Sequence, residues 1–543
     1  MTIPPTLFLL AGVINCVMAI AINPSGVSDE KLNTVKGKLF SYDADTENNI
    51  SYWRDQGIST IKERAAVTHI TSTAKNIILF LGDGMSIPTL AAARIYLGQL
   101  NGSAGENSKL SFEKFPYTGF SKTYCVNKQV ADSACSATAY LGGVKANYGT
   151  LGVNAKVQRG NCSLVNDANN RVFTILKWAQ DAGKGTGLVT TTRVTHASPG
   201  GNYAFTADRD FESDYDIAQS TQPGAAACTD IAKQLVRGDP GKNVKVILAG
   251  GRIKFLPNTT KDYESGYGER LDKMNLIEEW QTQKKNLNAS VKFVWNRNDL
   301  LNTDITSTDY LMGLFEPDHM KFHSEADPAT EPTLEEMTRT AIKLLQKEKK
   351  GFYLFVEGGR IDMAHHHNWA RRALDETVEF QKAVKAAVDL TDIKDTLIVV
   401  TSDHAHTMSF SGYPTRGDDI LAADLQDLDK IPYTTISYAN GPSAELNHTS
   451  RTDPSRGDLQ NDTYEYPSLV RLTTETHGGD DVGVFARGPQ AHMFVGMYEQ
   501  NVIPLTMSYV ANIGPAAMES AAPLAMSSLL LIPATMFLAY SLS

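Results

Sequence analysis

Apolar residues along this chain cluster in short, nearly uninterrupted runs: Asn76–Leu81, Gly187–Thr191, Val244–Leu248, Phe352–Val356, Thr396–Thr401 and Val482–Phe485. Most are bounded by Gly, Asp or a helix-like segment. Runs of that length without alternation of apolar and polar positions predict strands buried on both faces, as in a parallel sheet. Between two of them, Leu334–Lys347 places Leu334, Met337, Ala341 and Leu344 at helical spacing. Strands alternating with helices predict an α/β fold with a large central, mostly parallel β-sheet flanked by helices on both faces. From 411 to 476 the pattern changes, becoming rich in Asp, Gly, Pro, Ser and Asn with little apolar periodicity. That stretch is expected to form a small, exposed subdomain inserted between two core elements.

The ends follow a different logic. Leu7–Ala21 is a short apolar stretch, interrupted by Asn15 and closing on Ala19-Ile20-Ala21, which predicts a signal peptide over residues 1–21 in preference to a membrane span. At the other end, Ala521–Ser543 is apolar and uncharged and follows Gly514, Ala516, Ala517 and Ser520. Small residues before a terminal apolar tail predict a lipid-anchor (GPI-type) signal over residues 513–543, with a C-terminal membrane helix as the alternative. Asn-x-Ser/Thr triplets begin at Asn49, Asn101, Asn161, Asn258, Asn288, Asn447 and Asn461, in keeping with glycosylation in the secretory pathway. Without the signal, Cys125, Cys135, Cys162 and Cys228 remain, an even number that permits three pairings.

With 543 residues, 42% of them hydrophobic, the chain has ample material for one large domain. A net charge of −10 offers no basic stripe, so no nucleic-acid partner is expected. A small anionic substrate stays open if local cations offset the acidic surface.

Potential metal ligands repeatedly follow a predicted strand, where open α/β sheets place their sites. The first run leads into Asp83, the Phe352 run into Glu357, and the Thr396 run into Asp403 and His404. Asp362 and His366 lie four residues apart, a spacing that points both side chains the same way on a helical turn. His365 and His367 would point elsewhere and read as solvated or outer residues, while His477 precedes the last strand. Singly, each is an ordinary turn residue or a hydrogen-bonded histidine; together, they need cations to avoid mutual repulsion. Imidazole with carboxylate (Asp362, His366, Asp403, His404, His477) suits zinc, and the oxygens of Asp83, Glu357 and Ser198 suit magnesium. Ser133, in Asp132-Ser-Ala-Cys-Ser-Ala-Thr-Ala139, reads either as part of an ordinary helix cap or as a nucleophile at a helix N-terminus able to bind phosphate.

These segments resemble the alkaline phosphatase family over nearly the whole mature chain: Asn76-Ile-Ile-Leu-Phe-Leu-Gly-Asp-Gly-Met85, Asp132-Ser-Ala, Thr190-Thr-Thr-Arg-Val-Thr-His-Ala-Ser-Pro199, Val356-Glu-Gly-Gly-Arg-Ile-Asp362, Ser402-Asp-His-Ala-His406 and Glu475-Thr-His-Gly-Gly479. The resemblance implies a catalytic domain over 22–512 with a crown-like insertion at 411–476. It implies hydrolysis of phosphate monoesters through a phosphoserine, with Asp362, His366 and His477 on one zinc and Asp83, Ser133, Asp403 and His404 on a second. Asp83, Ser198 and Glu357 would hold magnesium, and Arg209, thirteen residues after His196, would clamp phosphate. His196 and the Cys162–Cys228 pair point to the animal branch of the family. That branch also implies a calcium site from Glu264, the Phe315 carbonyl, Glu316 and Glu331, dimerisation through regions around Trp53 and Tyr413, and an anchored position on the outer face of the plasma membrane.

Two departures stand out. Met363 occupies a position where the vertebrate pattern has His, and Cys125 and Cys135 have no counterpart in that pattern. Other reactions on the same scaffold fit less well: a sulfatase needs Cys-x-Pro-x-Arg, which Cys135-Ser-Ala-Thr-Ala139 lacks. A non-catalytic binding module would not need the intact ligand set.

Overall fold

The computed structural model describes residues 37–222, 224–424, 428–445 and 451–517. The expected signal segment (1–21), almost all of the expected anchor segment (513–543) and Asn447 lie outside them.

The core is a ten-stranded sheet. Eight strands in chain order are β1 (Asn76–Gly82), β2 (Tyr117–Lys122), β3 (Gly185–Arg193), β4 (Val246–Gly250), β5 (Val291–Val294), β6 (Tyr310–Leu314), β7 (Phe352–Gly358) and β8 (Thr396–Thr401). Val482–Arg487 and Gly496–Glu499 complete it, in the spatial order Gly496–Glu499, β2, Val482–Arg487, β8, β1, β7, β3, β4, β6, β5. Only Val482–Arg487 runs against the rest, antiparallel to both β2 and β8, so the expectation of a parallel strand there is corrected. The register sets Leu81 opposite Glu357 and Thr401, which brings the C-terminal ends of β1, β7 and β8 to one level.

β1, β7 and β8 are buried along their full length, which explains their uninterrupted apolar runs. Helices cover both faces. Val194, Leu188, Ile77, Tyr353 and Phe355 pack on one side, while Phe80, Ile78, Val356 and Phe380 pack on the other. The predicted helix is Leu334–Leu345, with Thr333 and Glu336 forming a capping box.

Residues 411–476 carry much of a small three-stranded sheet of Met408–Phe410, Ile436–Gly441 and Ser468–Arg471. Ile420, Leu421, Ile436, Tyr438 and Tyr466 pack with Tyr96, Leu374 and Val378 of two core helices, so this stretch is less detached than its composition suggested. Both disulfides form, Cys125–Cys135 and Cys162–Cys228.

Candidate active site

The strand ends gather most of the residues singled out above. Asp83 follows β1, and its neighbour Gly84 sits at φ +66° where an added Cβ would come within 2.4 Å of the His406 ring. Only glycine allows that turn to approach so closely. Gly84 N and His404 N donate to Asp403 Oδ1, both at 3.0 Å, which ties the β1 and β8 turns together. Glu357, next to last in β7, accepts from the hydroxyls of Thr190 and Thr192 on β3. Ser198 Oγ lies 3.5 Å from Asp83 Oδ2.

Ser133 opens the helix Ser133–Gly142, capped by Asp132. Its Oγ is buried 3.2 Å from His404 Nε2. Arg209 reaches the same place, donating to Asp132 Oδ2 at 3.1 Å and lying 3.0 Å from His196 Nε2.

Three imidazoles are oriented alike. His366 Nδ1 donates to Glu475 O (2.6 Å), His404 Nδ1 to Ala405 O (3.2 Å) and His477 Nδ1 to Ala131 O (2.7 Å). A carbonyl only accepts, so each Nδ1 carries a proton, and in the neutral ring Nε2 is the nitrogen left to ligate. Those Nε2 atoms face inward: His366 and His477 lie 3.3 and 3.4 Å from Asp362 Oδ1, and His404 lies 3.5 Å from Asp83 Oδ1.

His406 is different, and reading the sequence gave it no role. Its Nδ1 meets Glu475 Oε2 at 2.5 Å and its Nε2 meets Asp362 Oδ1 at 2.7 Å. Burial opposes its charge, yet Glu475 and Asp362 raise its pKa to about 10. With a carboxylate on each side, both nitrogens are placed to donate, and His406 braces Asp362 against Glu475. His365 is also buried, between Thr89 Oγ1 and Tyr438 OH, which corrects its solvated reading. His367 is exposed and stacks on Trp369.

The carboxylates are strongly perturbed. Burial, with Asp403 and Asp362 close by, raises Asp83 well above the ordinary range, and burial also raises Asp403. Burial, opposed by Thr190 and reinforced by Asp403, brings Glu357 to about 7. Asp83 Oδ1, Glu357 Oε1 and Asp403 Oδ2 are buried with no hydrogen-bond partner. Asp362, His366 and His477 converge with His406; Asp83, Asp362 and His404 form a second cluster, and Asp83, His196 and Glu357 a third. Buried, unpartnered carboxylate oxygens beside inward-facing imidazole nitrogens are the donor set a cation needs.

Away from this site, Phe315 follows β6 and Glu316 lies beside Glu331, which burial and Glu316 push up to about 9. Lys321 Nζ lies 3.3 Å from Glu316. Glu264 is engaged instead by Arg252 Nη2 at 2.6 Å. The Met363 thioether lies 2.8 Å from Arg360 Nη1 and packs beside Phe322 and Ala373.

An open α/β sheet that gathers a buried serine, free imidazoles, carboxylates and an arginine at its strand ends has the layout of a metal-dependent hydrolase. Comparison with known proteins gives the family. The alkaline phosphatase family profile matches residues 74–513. The chain is 48% identical over 479 residues to the membrane-bound alkaline phosphatase of Bombyx mori, covering 86% of each protein. It is 46% identical to the human tissue-nonspecific isozyme, covering 86% of this chain and 90% of that one. The fold matches alkaline phosphatases from Thermus thermophilus (TM-score 0.58, 21% identity, 82% and 92% coverage) and the Antarctic bacterium TAB5 (TM-score 0.55, 20% identity, 82% and 99% coverage). This chain belongs to the alkaline phosphatase family, and it is an enzyme that hydrolyses phosphate monoesters. Metal ions are implied by that membership and by the clustered ligand groups.

Proposed function

We propose that the chain hydrolyses phosphate monoesters through a phosphoserine at Ser133, with two zinc ions and one magnesium ion. Asp362, His366 and His477 would hold one zinc. Asp83, Asp403, His404 and the Ser133 hydroxyl would hold the second, and Asp83, Ser198 and Glu357 would hold magnesium. The observation that carries this reading is the fit of the donors: inward Nε2 lone pairs stand beside orphaned buried carboxylate oxygens. Imidazole with carboxylate favours zinc, and an all-oxygen set favours magnesium.

When bound, the ions would lower the pKa of the Ser133 hydroxyl and offset charge on the departing oxygen. Ser133 Oγ forms a bond to phosphorus as the bond to the alcohol oxygen breaks. Backbone N–H groups at the start of Ser133–Gly142 and the two Nη groups of Arg209 bind the non-bridging oxygens. Asp132 and His196 aim Arg209. Water then displaces Oγ from phosphorus and releases phosphate. His406 holds Asp362 in place throughout.

A calcium ion would be held by Glu316, Glu331 and the Phe315 carbonyl, with Glu264 joining only on leaving Arg252. The terminal signals and sequons support a glycosylated, GPI-anchored enzyme on the outer face of the plasma membrane. Asn49, Asn101, Asn258, Asn288 and Asn461 are exposed, and Asn161 is half-buried. Among the described residues no helix is long and apolar enough to cross a membrane. A homodimer is supported by the helix Ile50–Ala65, which buries none of its residues and exposes Ile50, Trp53, Ile58 and Ile61, and by Tyr413 at 96% exposure.

The test is metal content with substrate preference. Two zinc and one magnesium per catalytic site, with monoester cleaved far faster than diester or sulfate ester, is the expected result. One zinc per chain, or a preference for diester, would overturn the assignment.

A further inference from the structure

We propose that the Cys125–Cys135 bridge is a positioning element of the phosphate clamp, holding Asp132 where it orients Arg209; this rests on the clamp reading of Arg209.

The bridge joins two cysteines ten positions apart in the chain. Three consecutive residues at the end of that loop each serve the site. Ala131 O accepts from His477 Nδ1 at 2.7 Å, Asp132 Oδ2 accepts from Arg209 Nη1 at 3.1 Å, and Ser133 Oγ faces His404 at 3.2 Å. The body of the loop has little else to hold it. Val126, Asn127, Lys128 and Gln129 are exposed. Its main anchors elsewhere are Val126 N to Ala146 O (3.0 Å) and Tyr148 N to Asn127 Oδ1 (2.8 Å). The sulfurs, by contrast, belong to residues only 2% exposed and pack with Ala131 and Ala146.

Asp132 is where the bridge and the clamp meet. Its Oδ1 accepts from Cys135 N at 3.2 Å and Gly149 N at 3.1 Å, and Cys125 Sγ lies 3.8 Å from the same oxygen. Cys135 occupies the third position of the helix that Asp132 caps. Linking it to Cys125 therefore fixes the cap, the sulfur wall against Oδ1 and, through Oδ2, the direction of the guanidinium. A side chain with several rotatable bonds presents two parallel donors to phosphate only when its far end is held.

The experiment uses the full-length enzyme loaded with zinc and magnesium, comparing wild type with C125A/C135A and, in case that variant folds poorly, C125S/C135A. Thermal midpoint is followed alongside KM for p-nitrophenyl phosphate, the inhibition constant for inorganic phosphate, and the rate with a diester. The proposal predicts a rise in phosphate inhibition constant of about 5- to 20-fold with a smaller loss of diester activity, because an imperfectly aimed clamp costs the dianionic ligand most. In an Arg209→Ala background, removing the bridge should raise that constant little further, as expected for coupled sites. A bridge variant with a lowered midpoint but unchanged phosphate inhibition and monoester-to-diester ratio would reduce the bridge to a stability element and overturn the proposal. If Arg209→Ala alone leaves phosphate inhibition unchanged, the clamp reading itself fails and the proposal falls with it. Additive losses in the combined variant would overturn the coupling while leaving the clamp intact.

Discussion

Ser133 Oγ and His404 Nε2 stand 3.2 Å apart, although 271 residues separate them in the chain. His404 Nδ1 is committed to Ala405 O, so the facing nitrogen is a lone pair, and Asp83 and Asp403 flank it with oxygens that have no partner. A serine hydroxyl and an imidazole nitrogen in that company can share one cation, which in the proposed mechanism would bring the nucleophile and its activating charge into a single contact.

Arg209→Ala should raise the inhibition constant for phosphate about 10- to 100-fold and weaken monoester turnover without abolishing it, the loss expected for a charge-assisted paired contact. Diester hydrolysis should fall less, because a diester presents one fewer anionic oxygen. Parallel steady-state measurements with both substrates check this, and equal losses would remove Arg209 from the clamp.

His406→Ala should lower the affinity for one metal ion by roughly 10- to 100-fold, as removal of an outer partner of a ligand typically does. The reason is specific: Asp362 and Glu475 lose the cation between them. Competition with a chromogenic chelator measures it, and His406→Gln should recover part of the loss by restoring one donor.

Metal removal should reverse the usual pH trend of a carboxylate-rich site. Glu357 is brought to about 7 in the folded, metal-free chain, against an ordinary value of 4.5. The folded state then binds more protons than the unfolded state, so stability falls as pH rises from about 4.5 to about 7 and stays lowered above that. For Glu357 alone the effect is about 3 kcal/mol at most. Denaturant titrations of the chelated enzyme across that range should show a falling midpoint, and Glu357→Gln should flatten the curve.

Much of this site was legible because a buried parallel strand leaves an unmistakable apolar run and its C-terminal end is where ligands go. Asp83, Glu357, Asp403 and His404 were placed by that rule alone, and Asp362 with His366 by helical spacing. Other features carry no local signal. His406 follows β8 as His404 does, and nothing in the order of residues says that its partners are the carboxylates of Asp362 and Glu475. The Cys125–Cys135 pairing depends on a loop turning back toward its own helix. β2, with alternate residues exposed, and the edge strands β5 and Gly496–Glu499 lack a continuous apolar run, so they pass as loops. The reversed direction of Val482–Arg487 is a matter of topology that burial does not encode.

Every residue role proposed at this site converges on the covalent step at Ser133. Brief incubation with labelled phosphate, followed by quenching and peptide mapping, should recover label on Ser133 alone. Ser133→Ala should bind its metals and keep its thermal midpoint, yet take up no label and lose activity by roughly three orders of magnitude or more. Label on another residue, or a Ser133→Ala enzyme that still turns over monoester near the wild-type rate, would contradict the mechanism.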